Sequence, residues 1–326
     1  MKIWTKLGLL AIVGLSLTAC GGNAQNKSTS SSSSEKTDAK TGASKTMTYA
    51  EPSSLKKSYD VIIVGSGGAG MTAAIEAKDA GMNPVILEKM PMAGGNTSKA
   101  SAGLNASETS VEKAQGVTDS NDKFYEETLK GGGGTNDKEL LRYFVDHSAA
   151  AVDWLAQNDI VLDNLTTTGG MSVSRTHRPH DGSAVGAYLV KGLEENISKR
   201  DIPVFVNSDV TKINEKDGKV SGVEVKIEGE TKQVDSKAVV VTTGGFGANQ
   251  KMIAKYRPDL KDYVTTNAAG STGDGIEMIS ALGGALVDMD KIQIHPTVFQ
   301  KTGYLVSESI RGEGAILVNK EGNRFF

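Results

Sequence analysis

Asp60-Val61-Ile62-Ile63-Val64-Gly65-Ser66-Gly67-Gly68-Ala69-Gly70 is the stretch on which the fold turns. Its first half is a continuous β-branched run, the pattern of a strand buried on both faces of a parallel sheet. Its second half is a Gly-x-Gly-x-x-Gly turn, and the alanine-rich residues 71–80 that follow read as a helix. A second short strand over residues 84–87 ends on Glu88, 23 residues beyond Gly65. Strand, glycine turn, helix, strand and acid in this order make the βαβ unit that binds dinucleotides. Gly65 permits the tight turn, Gly67 lets backbone approach a pyrophosphate, and Gly70 allows close helix–strand packing, with Ala69 at the helix entrance beside the phosphates. The free N–H groups and positive dipole end of that helix favour phosphate, and Glu88 is positioned to accept ribose hydroxyls. FAD and NAD both use this unit, so it leaves the cofactor open.

The 326 residues allow one large domain or two modest ones. Hydrophobic residues make up 38%, enough for a sizeable core. With 36 basic and 39 acidic residues the net charge is −3, which carries no electrostatic footprint for nucleic acid. Glycine is in excess, 38 of 326 residues, against a usual share of about 7%. It has no collagen period and falls in clusters, as in a chain that brings backbone close to a ligand. The single cysteine, Cys20, excludes a disulfide scaffold and a Cys-rich metal site. No His/Asp/Glu grouping has metal-ligand spacing.

The first 19 residues read as a signal peptide: Lys2 and Lys6, an apolar run of 11 residues from 7 to 17, then Leu17-Thr18-Ala19-Cys20. That run is too short to span a bilayer core of about 30 Å. Its ending resembles a bacterial lipobox, which makes Cys20 the acylated residue of a lipid anchor outside the cytoplasmic membrane. Residues 20–57 read as a tether, since twelve of the thirty residues from Gly21 to Ala50 are Ser or Thr and bury too little surface to offset ordering entropy. Within it, Asp38-Ala39-Lys40-Thr41-Gly42-Ala43-Ser44-Lys45-Thr46 resembles the site at which flavin transferases attach FMN through a phosphoester, on Thr41. The folded domain is expected over residues 58–326.

Further strands are expected at residues 204–207 and in the alternating run 219–227, with Asp217-Gly218 as the turn before it and Gly229 the break after it. They suggest a β-rich insert in a large α/β domain. The segment Gly94-Gly95-Asn96-Thr97-Ser98-Lys99-Ala100-Ser101-Ala102-Gly103-Leu104-Asn105-Ala106 is small and polar, with little to pack in a core.

Taken with residues 65–70 and Glu88, that segment resembles the Rossmann-like FAD domain of the fumarate reductase and succinate dehydrogenase flavoproteins, closest to their soluble extracytoplasmic branch of flavocytochrome c and urocanate reductases. The pattern continues in Lys130-Gly131-Gly132-Gly133, Arg175-Thr176-His177-Arg178-Pro179, Val239-Val240-Val241-Thr242-Thr243-Gly244-Gly245-Phe246 and Gly270-Ser271-Thr272-Gly273-Asp274-Gly275. The resemblance implies FAD contacts from Asn96, Thr97, Ala102, Gly103, Val210, Gly244 and Asp274, with Gly103 also facing substrate. It further implies that His295, in Ile292-Gln293-Ile294-His295-Pro296-Thr297, and Ser307 hold a substrate carboxylate, and that Glu308 and Arg311 relay protons. A hydride from the flavin to one alkene carbon and a proton to the other is then the chemistry. His147, His177 and His180 have no such support and are expected to be structural or solvent-facing.

Where the family places its acid arginine, some 21 residues beyond the position of Arg311, this sequence has already ended at Phe326. The capping domain and the C-terminal return of the FAD domain are absent from it too. The expectation is an incomplete N-terminal portion of an extracytoplasmic alkene reductase, inactive as it stands. Its substrate would be a small carboxylate, fumarate first and urocanate or another enoate second, with electrons from a membrane or extracellular donor. An NAD dehydrogenase shares residues 65–70 and Glu88 but leaves 94–103 and 242–246 unexplained. A non-catalytic lipid-tethered flavin carrier using Thr41 alone is the other alternative.

Overall fold

In the computed structural model, residues 47–307, 310 and 314–324 are described. Cys20, Thr41, Glu308 and Arg311 therefore lie outside the described residues. The chain runs β1 (Val61–Val64), α1 (Gly68–Asp79), β2 (Pro84–Leu87), a 3-10 turn (Gly95–Lys99) and β3 (Leu104–Asn105). A helical layer follows: α2 (Ser110–Ala114), α3 (Asn121–Gly131), α4 (Lys138–Asp146) and α5 (Ser148–Gln157). Next come β4 (Asn164–Thr166), β5 (Thr176–Arg178), α6 (Val185–Lys199), β6 (Val204–Phe205), β7 (Ser208–Lys216), β8 (Lys219–Ile227), β9 (Glu230–Asp235) and β10 (Ala238–Val241). The described chain closes with α7 (Gln250–Tyr256), α8 (Asp274–Ala281), β11 (Val298–Phe299) and β12 (Tyr304–Leu305).

The main sheet is parallel, in the order β10-β1-β2-β6. Both of its faces are covered, which is why β1 and β2 carry no polar residue. Val61, Ile63, Ile86 and Val204 point to one side, against Met71, Ala74 and Ile75 of α1 and Val190, Leu193 and Ile197 of α6. Ile62, Val64, Val85, Leu87 and Phe205 point to the other, against Val210, Ile213, Val223, Val225, Ile227 and Val234 of the antiparallel meander β7-β8-β9 and Met278 of α8. Each such side chain, fully buried, is worth about 1.5–3 kcal/mol. The meander is the β-rich insert expected from the alternation, and it serves as a lid on the sheet. Its first turn has both Asp217 (φ 55) and Gly218 (φ 71) left-handed, the combination that matches the twist of two antiparallel strands.

Two boundaries differ from expectation. Helix α1 starts inside the glycine motif, at Gly68, because the turn needs only Gly65 to Gly67. The folded part begins ahead of residue 58: Met47 and Tyr49 pack on the α1/α6 side of the core, and the Ala50 amide donates to the Val204 carbonyl at 2.9 Å. Met47, Tyr49 and Leu55 supply the apolar surface that the serine-rich part of the tether lacks. Ala106 is also wholly buried, so the small segment 94–106 contributes one core residue.

The helical layer is held by local caps and one buried ion cluster. Thr109 and Glu112 form a reciprocal capping box at α2, Ser120 caps α3 and Asp137 caps α4, each of order 1 kcal/mol. His177 on β5 is fully buried. Its Nδ1–H donates to the Arg175 carbonyl at 2.9 Å, which leaves Nε2 to accept the Thr109 hydroxyl at 2.9 Å. Burial pushes the His177 pKa below the ordinary 6.5. The unfolded chain then takes up the proton first as pH falls, so the stability tied to neutral His177 is complete above pH 6.5 and lost as pH falls through the folded-state pKa. Glu112, pushed up by burial and further by Asp119, acts with the opposite sign, since the folded chain holds its proton longer. Thermal unfolding of wild type and His177→Gln across that acidic window should therefore show a shallower decline in the variant; parallel curves would refute the assignment.

Candidate functional site

A parallel sheet offers its ligand crevice at the carboxyl ends of the strands, where successive connections leave in opposite directions. Here that point lies between β1, whose chain goes on to β2, and β10, which returns on the far side of β1. The glycine turn after β1 and the turn after β10 stand side by side there. Thr242 Oγ1 donates to the carbonyls of Val64 and Gly65 at 2.9 and 3.1 Å. Between them opens a cleft of about 480 Å³, bordered by Gly65, Gly67, Ala69, Glu88, Asn96, Thr97, Val210, Gly244 and Asp274 among others. Residues spread over more than 200 positions of sequence are thus brought to one crevice.

The three motif glycines have separate duties. Gly65 is left-handed (φ 101), and a Cβ on it would lie 2.7 Å from the Thr242 carbonyl oxygen. Gly70 is pressed against the turn, where a Cβ would fall 2.0 Å from the Gly65 carbonyl oxygen. A Cβ on Gly67 would meet nothing closer than Thr97 Oγ1 at 3.6 Å, because that side of Gly67 faces the cleft. The Gly68 amide donates to Thr97 Oγ1 at 2.9 Å, so Thr97 stands at the start of α1 where a phosphate would be received.

Glu88 is buried at the end of β2. Its Oε2 accepts from the Ser66 amide at 2.9 Å and the Ser66 hydroxyl at 2.6 Å, and its Oε1 from the Met90 amide at 2.8 Å. A carboxylate has about four acceptor positions, so one on Oε1 is left for a ribose hydroxyl. In β7 the register slips between Val210 and Lys212, a bulge that releases backbone groups from the ladder where Val210 borders the cleft. The crevice, the open face of Gly67, the α1 amides and the spare Glu88 acceptor suit a dinucleotide.

Asn96 spends its side chain on the opposite wall. Its amide donates to Asn267 Oδ1 at 2.7 Å and Ser271 Oγ at 3.0 Å, and its oxygen accepts from the Ala268 amide at 2.6 Å. Asp274 begins α8, accepts from the Thr272 hydroxyl at 2.8 Å and is paired with Lys89. Gly70, Ala102 and Gly103 stand behind the cleft rather than on it. Gly103 backs onto β5, where a Cβ would lie 2.4 Å from the His177 carbonyl oxygen. Nothing in the local sequence marks Lys89 or Asn267; only the fold puts them at the site.

Two further cavities adjoin. One of about 920 Å³ is bordered by Asn96, Lys99, Ser101, Asn267 and Tyr304. Another of about 570 Å³ contains His295 with Phe246, Asn267 and Gln293. Asn96 borders the cofactor cleft and the larger cavity, and Asn267, hydrogen-bonded to it, borders the larger cavity and the one that holds His295. The His295 ring is braced by Thr297, whose amide and hydroxyl both lie 3.4 Å from Nδ1. The hairpin β11-β12 folds Ser307 back toward this segment: the Val306 amide donates to the Thr297 carbonyl at 3.0 Å, and Thr297 Oγ1 donates to the Val306 carbonyl at 3.0 Å. His147 and His180 are exposed. Among the described residues no group of three His, Cys, Asp or Glu side chains is placed to hold a metal ion, and no helix is long and apolar enough to cross a membrane.

A model of the FAD binding domain family matches residues 60–326. The chain belongs to the FAD binding domain family. This flavoprotein chain is 57% identical over 271 residues to an NADH:fumarate oxidoreductase of Klebsiella pneumoniae, covering 83% of the chain and 29% of that protein. It is 44% identical over 270 residues to a fumarate reductase (cytochrome) of Shewanella frigidimarina, covering 82% of the chain and 47% of that protein. The open conformation of a flavocytochrome c3 fumarate reductase superposes with a TM-score of 0.77 at 38% identity, over 84% of this chain and 49% of the other. The flavoprotein chain thus spans less than half the length of these relatives. Its fold is the Rossmann-like FAD-binding domain that the family resemblance implied, and its family is one of oxidoreductases.

Proposed function

We propose that the protein is an extracytoplasmic, lipid-anchored reductase that holds FAD in the β1/β10 cleft and reduces an activated alkene, fumarate to succinate. The observation that carries this reading is the hydrogen bond from Asn96, which borders the cofactor cleft, to Asn267, which borders the His295 cavity. A carboxylate held by His295 and Ser307 sits next door to the cofactor. Bound FAD supplies the hydride for one alkene carbon. The chain's own residues orient the substrate and relay protons: His295, braced by Thr297, and Ser307 grip the carboxylate and polarise the double bond, and Glu308 and Arg311 relay a proton toward the acid arginine of the family pattern. An arginine delivers a proton only when a carboxylate resupplies it, given an ordinary pKa above about 12. Thr41 would carry FMN, esterified by a flavin transferase, which would supply electrons from a membrane or extracellular donor, and Cys20 would carry the acyl group that keeps the tether at the membrane.

Flavin analysis of the secreted chain tests both flavin claims. After denaturation and filtration, FAD is expected in the filtrate and FMN on a peptide containing Thr41. Colourless protein with an unmodified tether would sink the scheme. In the full-length enzyme, His295→Ala should raise the KM for fumarate by about tenfold or more, the loss of a charge-assisted contact, with FAD content unchanged. Faster turnover of urocanate than fumarate would reassign the substrate.

A further inference from the structure

The loop over residues 266–273 forms part of one wall of the cofactor cleft. Ala268, Gly270 and Ser271 from it line the cleft together with Asp274 just beyond. On one bank it is fastened by the three hydrogen bonds of Asn96. Behind, Asn249 Nδ2 donates to the Thr272 carbonyl at 2.8 Å, and the Ala248 amide donates to the Ser271 carbonyl at 2.9 Å. On the other bank the fastening is Lys89, whose ammonium reaches both the Thr272 hydroxyl and the Asp274 carboxylate. The loop rides directly on the same residue: a Cβ on Gly270 would lie 2.9 Å from Met90 Cγ and 3.3 Å from Lys89 Cε.

Lys89 and Asp274 also border a second space of about 600 Å³ on the outer side, shared with Thr211, Lys212 and Glu277. The ion pair is therefore part of the partition between the cleft and the outside. Its side chains are 25% and 39% exposed, so water and salt reach it.

We infer that the Lys89–Asp274 pair is a latch that holds this loop at the wall of the cleft, making Lys89 a positioning residue that sets how long the cofactor stays bound. The inference rests on the reading of the cleft as the FAD site. A contact that closes over a ligand after it enters acts mainly on its release. A half-exposed pair is worth up to about 1 kcal/mol, or about fivefold in a rate, and salt weakens it.

The test is FAD dissociation from the loaded chain, followed by recovery of flavin fluorescence at low and high salt. Lys89→Met should release FAD up to about fivefold faster at low salt, lose most of the salt response of the wild type, and leave the melting temperature of the cofactor-free chain within about 2 °C. Lys89→Arg should release it at close to the wild-type rate. Equal release rates and equal salt responses in wild type and Lys89→Met would overturn the latch, as would a faster release matched by an equal loss of cofactor-free stability. Hydrogen exchange of amides 268–272 in the cofactor-free chain separates this from the FAD assignment. Faster exchange in Lys89→Met supports the latch even where no FAD binds; unchanged exchange overturns it.

Discussion

Arg175→Met is expected to destabilise the folded chain by about 3–5 kcal/mol, the usual cost of removing one partner from a buried ion pair. Arg175 is fully buried. Its Nε and Nη2 donate to the two carboxylate oxygens of Asp119, both at 2.8 Å, and its Nη1 to Glu127 at 2.8 Å. The guanidinium lies 4.8 Å above the centre of the Phe124 ring. Glu127 in turn accepts from the Ser172 hydroxyl, so this single cation ties α3, the segment before it and the loop 167–174 to β5. Without it, Asp119, which is wholly buried, has lost its counter-charge. Denaturant titration should show the midpoint falling with little change in slope. Arg175→Met combined with Asp119→Leu should recover part of the loss, because the orphaned carboxylate is removed with its partner. A single variant within about 0.5 kcal/mol of wild type would show the cluster to be ornamental.

Gly67→Val is expected to weaken FAD binding by about a hundredfold or more while leaving the fold in place. At φ −68 and ψ −178, Gly67 has a backbone open to any residue, and the added side chain finds room because it enters the cleft. There it stands off the pyrophosphate from the α1 amides, which lose their ligand together with the favourable helix end. Gly70→Ala, three residues on, should do the reverse. Its one methyl group meets a backbone carbonyl that cannot move without reshaping the turn, so the cofactor-free chain itself loses stability, by about 1–3 kcal/mol or more. Flavin titration set beside thermal unfolding of the cofactor-free variants distinguishes the two. Equal losses of stability in both would mean that Gly67 serves packing rather than the ligand.

These two glycines show how far local sequence carries. The order of strand, turn, helix and acid is written in consecutive residues, because β-branched runs, left-handed glycines and helix starts obey short-range sterics. The same holds for the hairpin at Asp217-Gly218, where a turn signal and an alternating strand lie next to each other. Asp274 is visible as one end of a Gly-rich motif, but its partner Lys89 stands 185 residues away. Arg175 reads as one member of a matching motif, and nothing in that motif announces Asp119 or Glu127, 56 and 48 residues distant.

The sequence by itself determined the parallel βαβ core and a dinucleotide site through its glycines, since both depend on neighbours in the chain, and its further motifs pointed to the family. Only the tertiary structure decided which side chains are spent on one another. It committed Asn96 and Lys89 to the loop beside the cleft, Glu88 to Ser66, and Arg175 to a buried cluster, and it set His295 in a separate cavity bordered by Asn267. Those pairings are long-range because a charge or amide taken out of water must find its partner wherever the fold brings one.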